Sequence, residues 1–305
     1  ELFSAEIGEN DKQIFGAYQI STQNFQEYIP VGNISFNPLD KTILNTYFYG
    51  PNNPDEATLY YVKISQDGKD YQKPQVLAQN FRGSDSFEYN DELIIPRRYD
   101  IYEPVFDSKV FINFFDKKTI KKTDQDEVNF SCKTALQVSN CYSSLTQVVS
   151  LGKNLYLLTD IYSYYSDENK DYAITEKSGI YLIPFTKKGF NLDQLYKVKG
   201  TSEDSSLLQS FVLEGKIFIT WNEPNSTPQS GHIAEIDPMK QEVVLNKELK
   251  NYYIHNLYQD SNLIYLGTSY LPTGEECGET GCIGRDIRIV TLDSELNIID
   301  IIEGN

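Results

Sequence analysis

Apolar and polar positions alternate along this chain in short runs, and the runs come in pairs joined by tight polar turns, the pattern of β-hairpins rather than helices. Five such hairpins can be read directly. Ile34 to Tyr49 turns at Asn37-Pro38-Leu39-Asp40-Lys41, Phe87 to Ile95 at Asn90-Asp91, and Thr146 to Tyr162 at Leu151-Gly152-Lys153-Asn154. Leu207 to Trp221 turns at Glu214-Gly215-Lys216 and Tyr253 to Tyr270 at Gln259-Asp260-Ser261-Asn262. After most of these the chain makes a longer excursion and then a second hairpin: Leu59 to Ile64 through Gln66-Asp67-Gly68, Ile180 to Phe185 through Lys187-Lys188-Gly189, Ile233 to Ile236 through Asp237-Pro238-Met239, and Ile287 to Leu292 through Asp293-Ser294-Glu295.

Each unit is therefore four antiparallel strands joined by a short, a long and a short connection, which is the plan of a propeller blade, and the units recur every ~45 to 65 residues. The pattern predicts an all-β chain forming one β-propeller domain over residues 1–305, with five blades as the best fit and six as the alternative. An irregular β-sandwich is the competing architecture. The register is weakest from Asp100 to Cys141, where a further hairpin, Val105 to Phe115 around Asp107-Ser108-Lys109, crowds its neighbour. Gln13 to Ile20 is expected to supply a strand that closes the ring on the last blade and removes an exposed sheet edge.

Composition agrees with this reading. Tyr (23) and Phe (16) are abundant, whereas Ala, the best helix former, occurs only at positions 5, 17, 57, 78, 135, 173 and 234. A net charge of −17 repels phosphate backbones and anionic membranes, so nucleic acid is excluded as a partner class. No transmembrane segment is expected, since no run reaches the ~18 apolar residues of a spanning helix. The start at Glu1, without Met or a signal-peptide core, predicts a mature, trimmed product. Four cysteines fall into two close pairs, Cys132 with Cys141 and Cys277 with Cys282, and short loops close most cheaply, so local disulfides and an oxidising, secreted or cell-surface location are expected. Sequons at Asn33, Asn129 and Asn225 would make a glycoprotein in a eukaryotic host.

The segment Ser65-Gln66-Asp67-Gly68-Lys69-Asp70-Tyr71 resembles the Asp-box turn of sialidase-like propellers, with Tyr for the commoner Trp. In that family the motif braces the fold away from the active site, so the resemblance implies architecture only. The arginine cluster and Tyr/Glu pair of a sialidase cannot be assigned to Arg82, Arg97, Arg98, Arg285 and Arg288, the whole arginine complement.

In this register the long second-to-third-strand connections share one face, and rigid scaffolds concentrate function in such loops. They span Gly50 to Ala57, Ser163 to Ser178, Asn222 to Gly231 and Leu271 to Gly284, and they are acidic and rich in tyrosine. Asp55, Tyr164, Tyr165 and Trp221 are the expected ligand-binding residues. Asp167 and Asp171 offer alternating carboxylates for Ca²⁺, without the fixed Gly and terminal Glu of an EF-hand. Trp221-Asn222-Glu223-Pro224-Asn225 resembles the Asn-Glu-Pro strand end of retaining (β/α)₈ glycosidases, in which the Glu is the acid/base. A hairpin chain poor in Ala has no helices for such a barrel, yet Glu223 still heads a loop on the expected functional face and is the catalytic candidate. The two histidines, His232 and His255, do not make a site between them. Two readings follow. The first is an extracellular recognition or structural propeller binding a carbohydrate or protein through its acidic, tyrosine-rich loop face. The alternative is a glycoside hydrolase using paired carboxylates at the propeller centre.

Overall fold

Strands end where the sequence supplies turn chemistry. Glu214 and Gly215 both hold positive φ (51° and 72°), the left-handed pair that lets a two-residue hairpin follow the twist of its flanking strands. The structure, a computed structural model, describes residues 5–8, 12–15, 18–21, 29–36, 43–50, 53–63 and 75–78, as well as 88, 145–146, 165–166 and 172–173, by their backbone alone. It describes the rest of 87–304 in full apart from 103–105, 117–118, 120, 122–126, 167–171, 202–204, 224–228, 261 and 272–285. The Asp-box-like turn at Ser65–Tyr71 lies outside these residues.

The chain divides into two compact units, one of residues 1–97 and 114–123, the other of 98–113 and 124–305. In the first, β1 (Ala5–Gly8), β2 (Lys12–Phe15) and β3 (Tyr18–Ser21) form a three-stranded antiparallel meander. The segment Gln13 to Ile20, expected to close a ring, thus pairs locally with itself and β1, where the loop to be closed is shortest. Next, β4 (Ile29–Phe36), β5 (Ile43–Gly50), β6 (Asn53–Lys63) and β7 (Gln75–Ala78) form a four-stranded sheet in sequence order. A hairpin at Asn90-Asp91 joins β8 (Phe87–Tyr89) to β9 (Glu92–Ile101), whose last residues, from Arg98, belong to the second unit.

The second unit takes in β10 (Asp107–Asp116) as far as Asn113, and β10 pairs with β11 (Glu127–Ser131). The expected turn at Asp107-Ser108-Lys109 is instead the start of β10, because its polar groups are spent inside the fold. The Asp107 carboxylate accepts hydrogen bonds from the Ser131 hydroxyl (2.8 Å) and the Lys133 amide (3.0 Å). The Ser108 hydroxyl donates to Asp100 (2.6 Å) and accepts from the Ser143 amide (3.1 Å). Ser131 also caps the short helix α1 (Cys132–Leu136) by accepting from the Thr134 amide, and a disulfide joins Cys132 to Cys141 at the start of β12 (Asn140–Leu151). β12 continues into β13 (Asn154–Ser166), β14 (Tyr172–Ile174) and β15 (Gly179–Thr186), with short outer strands β16 (Gly189–Phe190) and β17 (Tyr196–Lys197).

Two four-strand meanders follow, each in sequence order: β18 (Ser206–Leu213), β19 (Lys216–Glu223), β20 (Ser230–Asp237) and β21 (Glu242–Lys250), then β22 (Tyr252–Asp260), β23 (Leu263–Tyr270), β24 (Ile287–Leu292) and β25 (Ile298–Glu303). Strand periodicity puts successive side chains on opposite faces, and both faces of the β18–β21 sheet are used. Ile217, Ile219, Trp221, Ala234 and Ile236 share a core with Tyr156, Leu158, Ile180 and Leu182 of the preceding sheet. Phe218 and Ile233, on the other face, share a second core with Ile254, Ile264, Leu266 and Val290 of the following one. Successive sheets stacked face to face in chain order are blades packed as in a β-propeller.

The first strand of each later sheet carries a β-bulge, between Leu207 and Gln209 in β18 and between Ile254 and Asn256 in β22. Bulges release backbone groups from the ladder, and the preceding sheet satisfies them. The buried Asp160 carboxylate accepts from the Leu207 amide (3.3 Å). Asn222 does more for Ile254: its Oδ1 accepts from the Ile254 amide (2.9 Å) and its Nδ2 donates to the Ile254 carbonyl (2.8 Å). One strand further in, Gln147 Nε2 donates to the Leu208 carbonyl (3.2 Å) and Gln209 Oε1 accepts from the Leu257 amide (3.2 Å).

Candidate functional site

The ends of the second strands and the starts of the third strands lie together in the second unit. Asn251, between β21 and β22, donates its amide to the Gln229 carbonyl (3.0 Å) and accepts at its carbonyl from the Leu271 amide (2.6 Å). Gln229 and Leu271 flank the two long connections of neighbouring sheets, so both open on the same side.

On that side of the β12–β15 sheet aromatic rings form a run that branches at Phe106. Tyr102 packs edge-on against Phe106 (centroids 5.0 Å apart), Phe106 against Tyr142 (5.6 Å) and Tyr164 (6.1 Å), and Tyr142 against Tyr162 (6.3 Å). Tyr142 lies opposite Tyr162 across the β12–β13 ladder, which puts both rings on one face. Tyr102 is 63% exposed and the other four rings are half-buried, so one edge of the run is open to solvent. Its backbone is pinned. The Phe106 amide donates to Asn140 Oδ1 (3.1 Å), and the Tyr162 hydroxyl donates to the Ser205 carbonyl (3.4 Å). Arg98 lies over the Tyr142 ring (4.7 Å), donates to the carbonyls of Ser143 and Ser144 (2.6 Å each), and pairs with Asp100 (3.2 Å). Those donors fasten the start of β12 to the end of β9.

The neighbouring sheet ends in a different cluster. Trp221 and His232, opposite each other on β19 and β20, stack with ring planes 5° apart and centroids 4.8 Å apart. His232 Nε2 lies 3.7 Å from the Glu223 carboxylate. The indole N–H is buried without a hydrogen-bond partner among the described residues, and both imidazole nitrogens are buried. Burial holds the His232 pKa below its ordinary value, against the opposing charges of Glu223 and Glu248. Ser230 donates its hydroxyl to Glu248 (3.0 Å) beside this group.

Of the ligand-binding and catalytic residues singled out from sequence, Tyr164, Trp221 and Glu223 have described side chains. Tyr164 belongs to the aromatic run, whereas Trp221 is fully buried in the core between two sheets. Glu223 ends β19 and faces His232. Asp55 lies in β6 and Tyr165 in β13, both described by backbone alone, and Asp167, Asp171, Cys277 and Cys282 lie outside the described residues. Of the sequons, Asn129 is exposed on β11, while the side chain of Asn33 and all of Asn225 are not described. His255 is bonded through Nε2 to the Ser269 hydroxyl (2.7 Å). Tyr102, Phe106, Tyr142 and Arg98 were not expected at a site; the mistaken turn at Asp107 hid the fact that the chain around Phe106 folds back onto Tyr142. Among the described residues no group of three or more His, Cys, Asp or Glu side chains is placed to hold a metal ion, and no helix is long and apolar enough to cross a membrane.

Comparison with known proteins identifies a fold and no family. No family model matches the chain, and no curated protein matches it in sequence. A solved structure described as the Dos1 propeller superposes with a TM-score of 0.51 at 12% identity, covering 99% of this chain and 69% of that one. The hydrazine synthase of Kuenenia stuttgartiensis (TM-score 0.45, 12% identity, 88% of this chain and 64% of that one) and a GH32 β-fructofuranosidase of Bombyx mori (0.42, 13%, 87% and 65%) are more distant. The chain has a β-propeller fold. At such identities the likeness extends no further than that.

Proposed function

We propose that this chain is a secreted recognition propeller that binds carbohydrate through the aromatic run Tyr102–Phe106–Tyr142–Tyr162–Tyr164. The observation that carries the reading is the cluster itself: five rings on the loop side of one sheet, branching at Phe106 to Tyr142 and Tyr164, open at Tyr102 and with Arg98 over Tyr142. Flat, half-exposed rings offer apolar faces to the C–H faces of sugars, and rings already fixed by packing lose little freedom on binding. The disulfide at Cys132–Cys141 supports a location in which disulfides persist. The experiment is a glycan array with the full chain, followed by titration of the best glycan against Tyr102→Ala and Tyr164→Ala. Each substitution is expected to weaken binding about tenfold with the fold intact. Unchanged affinity in both variants, or an array with no binding glycan, overturns the reading.

Glu223 beside His232 is the one observation that favours a hydrolase instead. Glycoside hydrolysis needs a second carboxylate ~5 to 9.5 Å away. If a glycosidase activity is demonstrated and Glu223→Gln leaves it intact, Glu223 is not its acid/base. Calcium at Asp167 and Asp171 has a separate test: a bound ion raises the melting temperature, so a midpoint unmoved by excess chelator removes that site.

A further inference from the structure

β25 is the outer strand of the β22–β25 sheet and pairs with β24 alone among the described residues. Its sequence, Ile-Ile-Asp-Ile-Ile-Glu, is apolar on both faces, the pattern of a strand covered on either side rather than left at an edge. Yet all six residues are exposed, with Ile298, Ile299, Ile301 and Ile302 between 38% and 56% accessible. Ile287 and Ile289 on β24 are exposed beside them, and Ile289 lies directly opposite Ile302. The outer strand of the preceding sheet, β21, shows the ordinary solution: exposed positions alternate with less exposed ones, and Lys247 and Lys250 guard the edge. β25 carries no lysine.

The backbone of β25 has one open side. The Gly304 amide donates to the Ile287 carbonyl (2.7 Å), so alternation along the antiparallel ladder points the backbone groups of Ile302 toward β24 and turns those of Ile301 and Glu303 outward. The outward Ile301 amide donates to Oδ1 of Asp300 (2.8 Å), a contact open to solvent. Charge then selects what can add. From Tyr252 to Asn305 the chain has nine acidic residues, no lysine and two arginines, Arg285 and Arg288. Arg288 already holds Asp286 through two nitrogens (3.1 and 2.8 Å) and reaches Glu303 at 3.3 Å, and Asp300 has no ion-pair partner among the described residues. A second copy of this sheet would bring like charge to like, whereas a basic strand meets opposite charge and apolar side chains together.

We propose that β25 is a docking edge for an extended, basic and apolar segment of a partner protein, which adds antiparallel as a fifth strand, takes over the Ile301 amide and pairs a cation with the Asp300 carboxylate so released. Ile298–Glu303 read backwards defines the probe: N-acetyl-Lys-Val-Val-Lys-Val-Val-amide sets lysines opposite Glu303 and Asp300 and valines opposite the four isoleucines. Two controls accompany it. The same peptide N-methylated at its third and fifth residues keeps its charge but cannot extend the ladder, and N-acetyl-Glu-Val-Val-Glu-Val-Val-amide keeps the ladder but opposes the charge. With the full chain, the first peptide is expected to bind saturably and to slow hydrogen exchange of the Ile301 and Glu303 amides, read by NMR, at least about tenfold, while both controls do neither. Asp300→Lys should weaken the basic peptide about tenfold at an unchanged melting temperature. Equal binding by the N-methylated peptide, which reduces the effect to bulk charge, overturns the proposal. So does binding without protection of β25, no binding, an affinity unmoved by Asp300→Lys, or a chain already dimeric through β25 before any peptide is added.

Discussion

His232 keeps both ring nitrogens out of water, pressed flat on Trp221 with Glu223 3.7 Å away. Burial lowers its pKa below 6.5, and burial lowers that of His255 as well. The unfolded chain therefore takes up protons first as pH falls, and folding stability declines as pH drops below about 6.5 until the folded imidazoles are protonated too. Thermal midpoints measured from pH 7.5 downward should show this fall, and His232→Gln should flatten part of it; a midpoint flat to pH 5 in the unaltered chain contradicts the burial assigned here. Glu223 acts in the other direction by favouring the imidazolium, so Glu223→Gln should lower the His232 pKa further, read directly by NMR because the chain has only two histidines. A separate loss belongs to strong acid. Asp237 and Asp293 are held below 3.8 by hydrogen bonds, chiefly from the Lys240 backbone and from the Asn297 side chain respectively, and their contribution disappears as pH falls below that value.

Elements are joined by side chains that stand in for missing strand partners. Asn222 completes both backbone bonds of Ile254 at the β22 bulge, and removing it leaves a buried donor and a buried acceptor unpaired. Asn222→Ala should cost about 1–3 kcal/mol for each group left unmet. Asn222→Asp should also destabilise, since a carboxylate accepts from the amide but cannot donate to the carbonyl; denaturant midpoints of both variants measure it. The Cys132–Cys141 disulfide is a second join, closing a short loop around α1, and its removal should cost about 2–3 kcal/mol from loop-closure entropy. The hairpins around these joins were legible in the sequence because Glu214-Gly215 and Asn90-Asp91 carry turn chemistry in the residues themselves. The joins were not. Asp107-Ser108-Lys109 has the composition of a turn, but its character is decided by Ser131, Lys133, Asp100 and Ser143, residues far off in the chain. Asn222 likewise reads as part of a catalytic signature until Ile254, 32 residues away, is placed against it.

At the scale of the molecule, alternation along single strands becomes stacking of sheets. Ile219 and Phe218 are neighbours in β19, yet one belongs to the core shared with the β12–β15 sheet and the other to the core shared with the β22–β25 sheet. The aromatic run lies at one end of that stack, so it is held by the cores without lying in either. This arrangement makes a sharp demand on energetics. Phe218 and Leu266 belong to one core, and truncating either to Ala should cost about 2–5 kcal/mol. Ile219 and Leu266 lie in cores separated by the β18–β21 sheet. Double-mutant cycles by chemical denaturation should therefore give a coupling of at least about 0.5 kcal/mol for Phe218 with Leu266, and additivity within about 0.5 kcal/mol for Ile219 with Leu266. Equal coupling in both cycles would mean that the faces of the central sheet do not divide the core, and the blade-by-blade packing that places the aromatic run would have to be abandoned.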